Sequence, residues 1–186
     1  MLKSTFNTGF RQTILFFSFI LLLASVACSS SEDKFAKHLE RAEKSIKQGS
    51  LKVAEIELRN ALQINPDHAQ ANFLLAELYQ GISQNEQALK YYRRAEQEFP
   101  DDIRPVKNLA SLYYQKGEME KADIRIEKVL NQNRNDADIL VLKARRDLQK
   151  RDFESAQTAL ERALEQQPEH ADMYFYLALA YFGQGR

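Results

Sequence analysis

The apolar positions of this chain recur at intervals of 34 residues. Two series consist of small residues, Ala54, Ala88, Ala122 and Ala156, and Ala42, Ala76, Ala110, Ala144 and Ala178. Two further series hold the same register, Tyr79, Tyr113 and Tyr181, and Pro66, Pro100 and Pro168. Alanine at fixed intervals lets helix axes approach closely, and proline marks connections because it cannot continue a helix. The pattern predicts successive antiparallel helix pairs.

Nine helices are predicted from this register. Gly49 and Gly117 mark turns inside two of the pairs, because a helix ends most easily in a left-handed residue. The chain has only six glycines and four prolines, which suits an all-helical protein. The predicted helices span residues 35–48, 51–64, 69–81, 86–98, 103–116, 119–131, 137–150, 153–166 and 171–183.

The first 27 residues follow a different pattern. Lys3 and Arg11 are their only charged residues, and residues 14–27 form an uncharged, mostly apolar run. That run is shorter than the roughly 20 residues that a helix needs to cross a bilayer. A basic start followed by a short apolar run and small residues is typical of a secretory signal. We therefore predict a signal peptide over residues 1–27.

Cys28, the only cysteine of the chain, directly follows this segment. Ser25, Val26, Ala27 and Cys28 resemble the bacterial lipobox, which implies a lipoprotein cleaved before Cys28 and lipidated on it. A lone cysteine has no disulfide partner, which favours lipidation over a secreted protein with a free thiol or an uncleaved membrane anchor. Residues 28–34 would then form a short tether. Ser29 in place of aspartate favours the outer membrane, facing the periplasm.

Charge and motifs narrow the classes of function. Lys and Arg together number 26, as do Asp and Glu, and the isoelectric point is near 6.8, so no nucleic-acid partner is expected. No zinc-protease, zinc-finger or phosphate-loop motif occurs. His68 and His170 share one repeat position, which repetition explains better than metal binding. We expect neither metal nor cofactor, and no enzyme.

The repeat itself resembles the tetratricopeptide repeat (TPR), whose period is 34 residues. The units are residues 35–68, 69–102, 103–136 and 137–170, with a partial unit at 171–186, so the TPR domain spans 35–186. Position 27 of the four complete units is small, as in the family: Ala61, Ala95, Val129 and Ala163. The resemblance implies an all-α TPR solenoid, a right-handed superhelix of antiparallel helix pairs, following the lipoprotein signal peptide.

The same resemblance implies a groove lined by the first helix of each unit, which binds a protein or peptide partner. The groove residues that we predict are Phe73, Glu77, Arg104, Lys107, Tyr114, Arg145 and Phe175. Arg104, Lys107 and Arg145 would suit a peptide with a carboxylate, because arginine pairs well with that group. The alternative for any one of these charges is an ordinary solvated surface.

Two places depart from the pattern. Lys143 and Asp147 replace apolar and aromatic residues, and their spacing of four allows an ion pair on one helix face. The last predicted helix is crowded with aromatic residues, whereas repeat arrays normally end in a polar cap. Either the chain is part of a longer repeat protein, or this helix docks on a partner or on a second copy, forming a homo-oligomer.

These features together predict a membrane-anchored TPR adaptor lipoprotein of the bacterial envelope, acting in assembly, secretion or exopolysaccharide-linked processes. The first unit resembles the repeat lipoproteins that accompany exosortase/PEP-CTERM systems. The alternative is a pilotin-type assembly factor for type IV pili or outer-membrane machinery. A minor alternative is the N-terminal part of a larger enzyme.

Overall fold

The computed structural model describes residues 31–185, which form nine helices and no strand. The helices are α1 (31–47), α2 (Leu51–Ile64), α3 (Ala69–Gly81), α4 (Asn85–Glu98), α5 (Ile103–Lys116), α6 (Met119–Gln132), α7 (Ala137–Gln149), α8 (Phe153–Gln166) and α9 (Ala171–Gly183). The predicted all-α class is confirmed. The predicted bounds differ by four residues at the start of α1 and elsewhere by one at most.

The predicted N-terminal features fall mostly outside this range. The signal peptide over 1–27 and Cys28 lie outside the described residues. Residues 31–34, which were expected in the tether, already belong to α1. None of the described helices is both long and apolar enough to cross a membrane.

The chain divides into two compact units, the first ending at Ala71 and the second beginning at Asn72. In the first unit, fully buried small and aliphatic side chains come from both α1 and α2: Ala42, Ala54, Leu58 and Ala61. At one edge, Nδ1 of His38 lies 2.5 Å from a carboxylate oxygen of Glu57. The ring of Phe35 packs on His68, with 4.6 Å between ring centroids.

The second unit repeats this packing along α3 to α9. Apart from Ala178 on α9, which is exposed, the alanines of the sequence pattern are fully buried here: Ala76, Ala88, Ala110, Ala122, Ala144 and Ala156. Tyr92, Ile126 and Leu160 share one repeat position on the second helices and are also fully buried. Alanine brings the helix axes close and the larger residue fills the space that remains, which is why the two kinds alternate in the sequence.

The turns inside the helix pairs share one hydrogen-bonding pattern. After α5, the N–H of Glu118 donates to Tyr113 O at 2.9 Å, and the N–H of Gly117 donates to Tyr114 O at 3.0 Å. These two bonds form a Schellman motif, with Gly117 in the left-handed region at φ 79°. The turns after α1, α3 and α7 have the same bonds and place a left-handed residue at the same repeat position: Gly49, Ser83 and Arg151.

The predicted ion pair in the fourth repeat is present. Nζ of Lys143 lies 2.7 Å from a carboxylate oxygen of Asp147, and Asp147 is only 3% exposed. Arg146 supplies a second positive charge, with Nε 2.9 Å from the other oxygen of Asp147 and Nη1 3.2 Å from Asp123. The buried carboxylate of Asp147 therefore has two basic partners.

Candidate peptide-binding groove

A cavity of about 250 Å³ opens between α5 and α7, the first helices of the third and fourth repeats. It is lined by Lys107, Asn108, Ser111, Asp138, Ile139, Val141, Leu142 and Arg145. Two of the predicted groove residues, Lys107 and Arg145, therefore meet at one site. The wall combines polar groups with aliphatic side chains, a composition typical of a binding site for part of a peptide.

Lys107 is held by two aspartates at the start of α7. Its Nζ lies 2.8 Å from Asp138 Oδ2 and 3.0 Å from Asp136 Oδ2. Asp136 also caps α7, since its Oδ1 accepts from the N–H of Ile139 at 3.2 Å. Desolvation lowers the pKa of Lys107, but the hydrogen bonds to Asp138 and Asp136 outweigh it, so the pKa is raised overall. Lys107 therefore stays charged, and its charge is met within the chain.

Arg104 is also neutralised within the chain. Its Nε and Nη2 donate to the two carboxylate oxygens of Asp102, at 3.0 and 2.7 Å, in a bidentate pair. The side-chain hydrogen bond from Arg104 lowers the pKa of Asp102 and raises that of Arg104. Asp102 also caps α5 by accepting from the backbone N–H of Arg104 at 2.9 Å.

Phe73 differs from the expectation of an accessible anchor, because it is only 5% exposed. Its ring packs on Tyr92, with 5.8 Å between centroids, and the guanidinium carbon of Arg104 lies 4.7 Å from the ring centroid. Arg104, which is held by Asp102, therefore covers the ring of Phe73, and cation–π attraction stabilises this arrangement. Phe73 belongs to the core of the second unit.

Glu77 lies in the neighbourhood of Arg104 and Tyr92. Desolvation raises the pKa of Glu77, and the positive charge of Arg104 partly offsets this. Burial and the negative charge of Glu77 raise the pKa of the Tyr92 hydroxyl, which therefore stays protonated and donates to Gln80 Oε1 at 2.6 Å. The surroundings of Glu77 therefore disfavour its charged form relative to an exposed glutamate.

Arg145 has a different environment from the other two basic groove residues. Its guanidinium carbon lies 5.1 Å from the ring centroid of Tyr114 and 5.6 Å from that of Tyr176. Over the described part of the chain, no carboxylate lies within ion-pair distance of Arg145. Two tyrosine rings therefore position this guanidinium at the cavity without neutralising it.

Phe175, the remaining predicted groove residue, lies on α9 and is 60% exposed. Its ring meets Tyr176 edge to face, with 5.5 Å between centroids. Other large apolar side chains of α9 are exposed as well: Tyr174, Leu179 and Phe182. The predicted docking of this helix on a partner or a second copy stays a prediction.

Some residues at or beside the cavity were not predicted from the sequence: Asn108 and Leu142 line it, and the ring of Tyr176 lies next to Arg145. Asn108, Leu142 and Tyr176 share one repeat position, which directly follows the position of Lys107 and Val141. The 34-residue period would identify these three together once any one of them is seen at the groove. Asp136 is the more buried of the two aspartates that contact Lys107. The sequence indicated it only as an aspartate directly before a predicted helix, which is a common capping position.

The described residues contain no group of three or more His, Cys, Asp or Glu side chains that could hold a metal ion. What the cavity offers a ligand is an arginine fork, a hydroxyl, an amide and an aliphatic wall. This arrangement suits recognition of an extended polypeptide.

Comparison with known proteins identifies the family. One profile described as "Tetratricopeptide repeat" matches residues 39–103 and 141–186. A second profile with the same description matches residues 83–145. The search of curated proteins finds no significant match.

Solved structures share the fold. The MamA protein superposes with a TM-score of 0.76 at 17% identity, covering 83% of this chain and 84% of that one. YrrB, a TPR protein with an unusual peptide-binding site, gives 0.70 at 16% identity, covering 81% and 84%. Pseudomonas aeruginosa PilF gives 0.68 at 19% identity, covering 84% and 72%. These likenesses show the fold, and the matched profiles show that the chain belongs to the tetratricopeptide repeat family.

Proposed function

We propose that this protein is a lipid-anchored adaptor of the bacterial envelope, which holds a protein partner through the groove of its repeat domain. The observation that carries the proposal is the cavity between α5 and α7, where Arg145, which has no ion pair with any described residue, lies beside an aliphatic wall. TPR proteins act as scaffolds for protein–protein interaction, and this site has the size and chemistry for one or two side chains of a bound peptide.

The anchor is proposed from the sequence around Cys28. The apolar segment before it is too short to span a bilayer as a helix and ends in small residues, as lipoprotein signals do. Diacylglycerol and an N-acyl group together exceed the two anchoring signals that stable membrane attachment needs. Ser29 supports placement in the outer membrane, facing the periplasm.

Metabolic labelling with palmitate tests the anchor. The wild-type chain should incorporate the label and sediment with membranes, whereas Cys28→Ser should do neither. Ser30→Ala is the matched control, because it alters a neighbouring residue and leaves the acceptor thiol in place. Labelling of Cys28→Ser, or soluble wild-type protein, would reject the lipoprotein proposal.

Capture of partners from detergent-solubilised envelopes tests the adaptor. Charge reversal of Arg104 or Lys107 would set a carboxylate against Asp102 or Asp136 and disturb the fold, so Arg145→Glu is the cleaner variant. We expect wild type and the control Arg93→Glu, changed on an exposed part of α4, to enrich the same proteins. Arg145→Glu should lose them, and equal enrichment by all three chains would contradict the proposal.

The captured proteins would also separate the narrower roles. Exopolysaccharide-linked partners would support the exosortase-associated type, whereas secretin or pilus components would support the pilotin-type alternative. The likeness to PilF, at 19% identity, concerns the fold and does not favour either role.

A further inference from the structure

The three basic residues predicted for the groove are not equivalent in the structure. Arg104 makes a bidentate pair with Asp102, and Lys107 contacts Asp136 and Asp138. Arg145 has no such carboxylate among the described residues. The charges of Arg104 and Lys107 are already compensated by carboxylates of the chain, so of the three residues Arg145 gains most from the carboxylate of a ligand.

The two tyrosine rings define how Arg145 can bind. The ring centroids of Tyr114 and Tyr176 lie 5.1 and 5.6 Å from its guanidinium carbon, so the group is held over both rings. A guanidinium held over aromatic rings keeps N–H donors, and its fork of donors matches the two oxygens of a carboxylate. The rings also restrict the side chain, so little further entropy is lost when a ligand binds.

The rest of the cavity restricts the ligand further. Ser111 Oγ accepts from Gln115 at 3.3 Å, which leaves its own hydroxyl proton to donate. Val141 and Leu142 supply an aliphatic wall, and Asp138 adds an exposed negative charge at the same cavity. A second acidic group would be repelled there. The site therefore fits one carboxylate next to an aliphatic side chain, and disfavours a polyacidic segment.

We propose that Arg145, held over the rings of Tyr114 and Tyr176, selects partners that present a single carboxylate beside an aliphatic residue. This inference rests on the proposed adaptor function and names the chemistry that its groove recognises. The carboxylate comes either from an Asp or Glu side chain or from the end of a polypeptide, and these two sources share the same geometry.

A synthetic peptide array tests the proposal on the detergent-solubilised full chain. N-acetylated, C-amidated hexapeptides that contain one Asp beside Leu or Val are each paired with the Asn counterpart. A third set carries the Asn sequence with a free terminal carboxylate. We expect the Asp set or the free-terminus set to bind about tenfold or more tightly than the amidated Asn set. The set that gains affinity identifies the source of the carboxylate.

Variants assign the preference to the arginine. Arg145→Gln should abolish the carboxylate preference, Arg145→Lys should keep only part of it, because lysine lacks the fork, and the control Arg93→Gln should keep all of it. If peptides bind but Arg145→Gln and Arg145→Lys keep the full preference, the role of Arg145 is rejected and the adaptor function stands. If wild type binds no peptide of any set, the groove adaptor and the carboxylate preference both fail.

Discussion

At the scale of single residues, Asp147 is the position where the chain departs most from its own pattern. The equivalent residues of the two preceding repeats are Tyr79 and Tyr113, 3% and 4% exposed, whereas here a carboxylate is buried to a similar extent. Burying a charge is unfavourable unless partners compensate for it. Lys143 and Arg146, on the same helix, provide that compensation. The buried carboxylate of Asp147 is therefore stable only because both basic residues accompany it.

We predict that removing the carboxylate is far more damaging than replacing the whole pair. Asp147→Ala removes the carboxylate that Lys143 contacts and one of the two that Arg146 contacts, and should lower the free energy of unfolding by about 3 kcal/mol. Lys143→Leu combined with Asp147→Tyr restores the residue types of the other repeats and should lie within about 1 kcal/mol of wild type, or above it. Urea unfolding followed by circular dichroism measures both.

An exposed ion pair provides the control for this measurement. Nζ of Lys121 lies 2.6 Å from Oε2 of Glu118 at the surface. Lys121→Ala should change the free energy of unfolding by less than about 1 kcal/mol. If the double variant lost as much stability as Asp147→Ala, the apolar replacement would not fit this repeat, and the ion pair would have a specific packing role.

At the scale of helices and turns, one backbone conformation is used at the same repeat position with different residues. Gly49 and Gly117 adopt φ of 72° and 79°, and Ser83 and Arg151 both adopt φ of 60°. Glycine reaches this region without steric conflict, whereas other residues are strained there. The Schellman hydrogen bonds are nevertheless present at all four turns, so the helix pairing imposes the conformation on serine and arginine.

We predict opposite effects for exchanges at these turns. Gly117→Ala should lower the free energy of unfolding by about 1 kcal/mol, through backbone strain alone, because an added Cβ would meet no atom within 4 Å. Arg151→Gly should raise it by up to about 1 kcal/mol by relieving that strain. Thermal unfolding of the variants, compared at equal pH and protein concentration, gives the two changes.

Gly81→Ala is a control that distinguishes backbone strain from the general effect of replacing a glycine. Gly81 is the last residue of α3 and is not left-handed, and a Cβ added there would likewise meet no atom within 4 Å. Gly81→Ala should therefore be neutral or stabilising by about 0.5 kcal/mol. A loss at Gly81 equal to that at Gly117 would show that φ is not the cause.

The sequence predicts the helices well because their determinants lie inside each repeat. Alanine spacing and turn residues act locally, so the 34-residue period carries them directly into helix bounds. The state of the groove charges depends instead on side-chain geometry. Lys107 meets aspartates about 30 residues away, and Arg104 turns back to Asp102 while covering Phe73, so repeat position alone could not distinguish them from Arg145.

At the scale of the whole molecule, repeat proteins gain stability where each repeat covers its neighbour. Val106 and Leu140 are fully buried on α5 and α7, whereas Tyr174, at the same repeat position on α9, is 51% exposed. Ala110 and Ala144 are likewise buried, and Ala178 is exposed. One face of α9 therefore lacks, within the described residues, the cover that the equivalent faces of the inner helices have.

The two faces of α9 should consequently respond differently to substitution. Met173, 1% exposed, packs in the core with α7 and α8, so Met173→Ala should lower the free energy of unfolding by about 3 kcal/mol. Phe182 is 81% exposed, so in a single chain Phe182→Ser should change it by less than about 0.5 kcal/mol. Urea unfolding at two protein concentrations tenfold apart tests both, because burial between two copies would make stability depend on concentration. Two results together would contradict the single-chain prediction: a large loss of unfolding free energy in Phe182→Ser, and a wild-type stability that rises with protein concentration. They would show that a second copy covers this face.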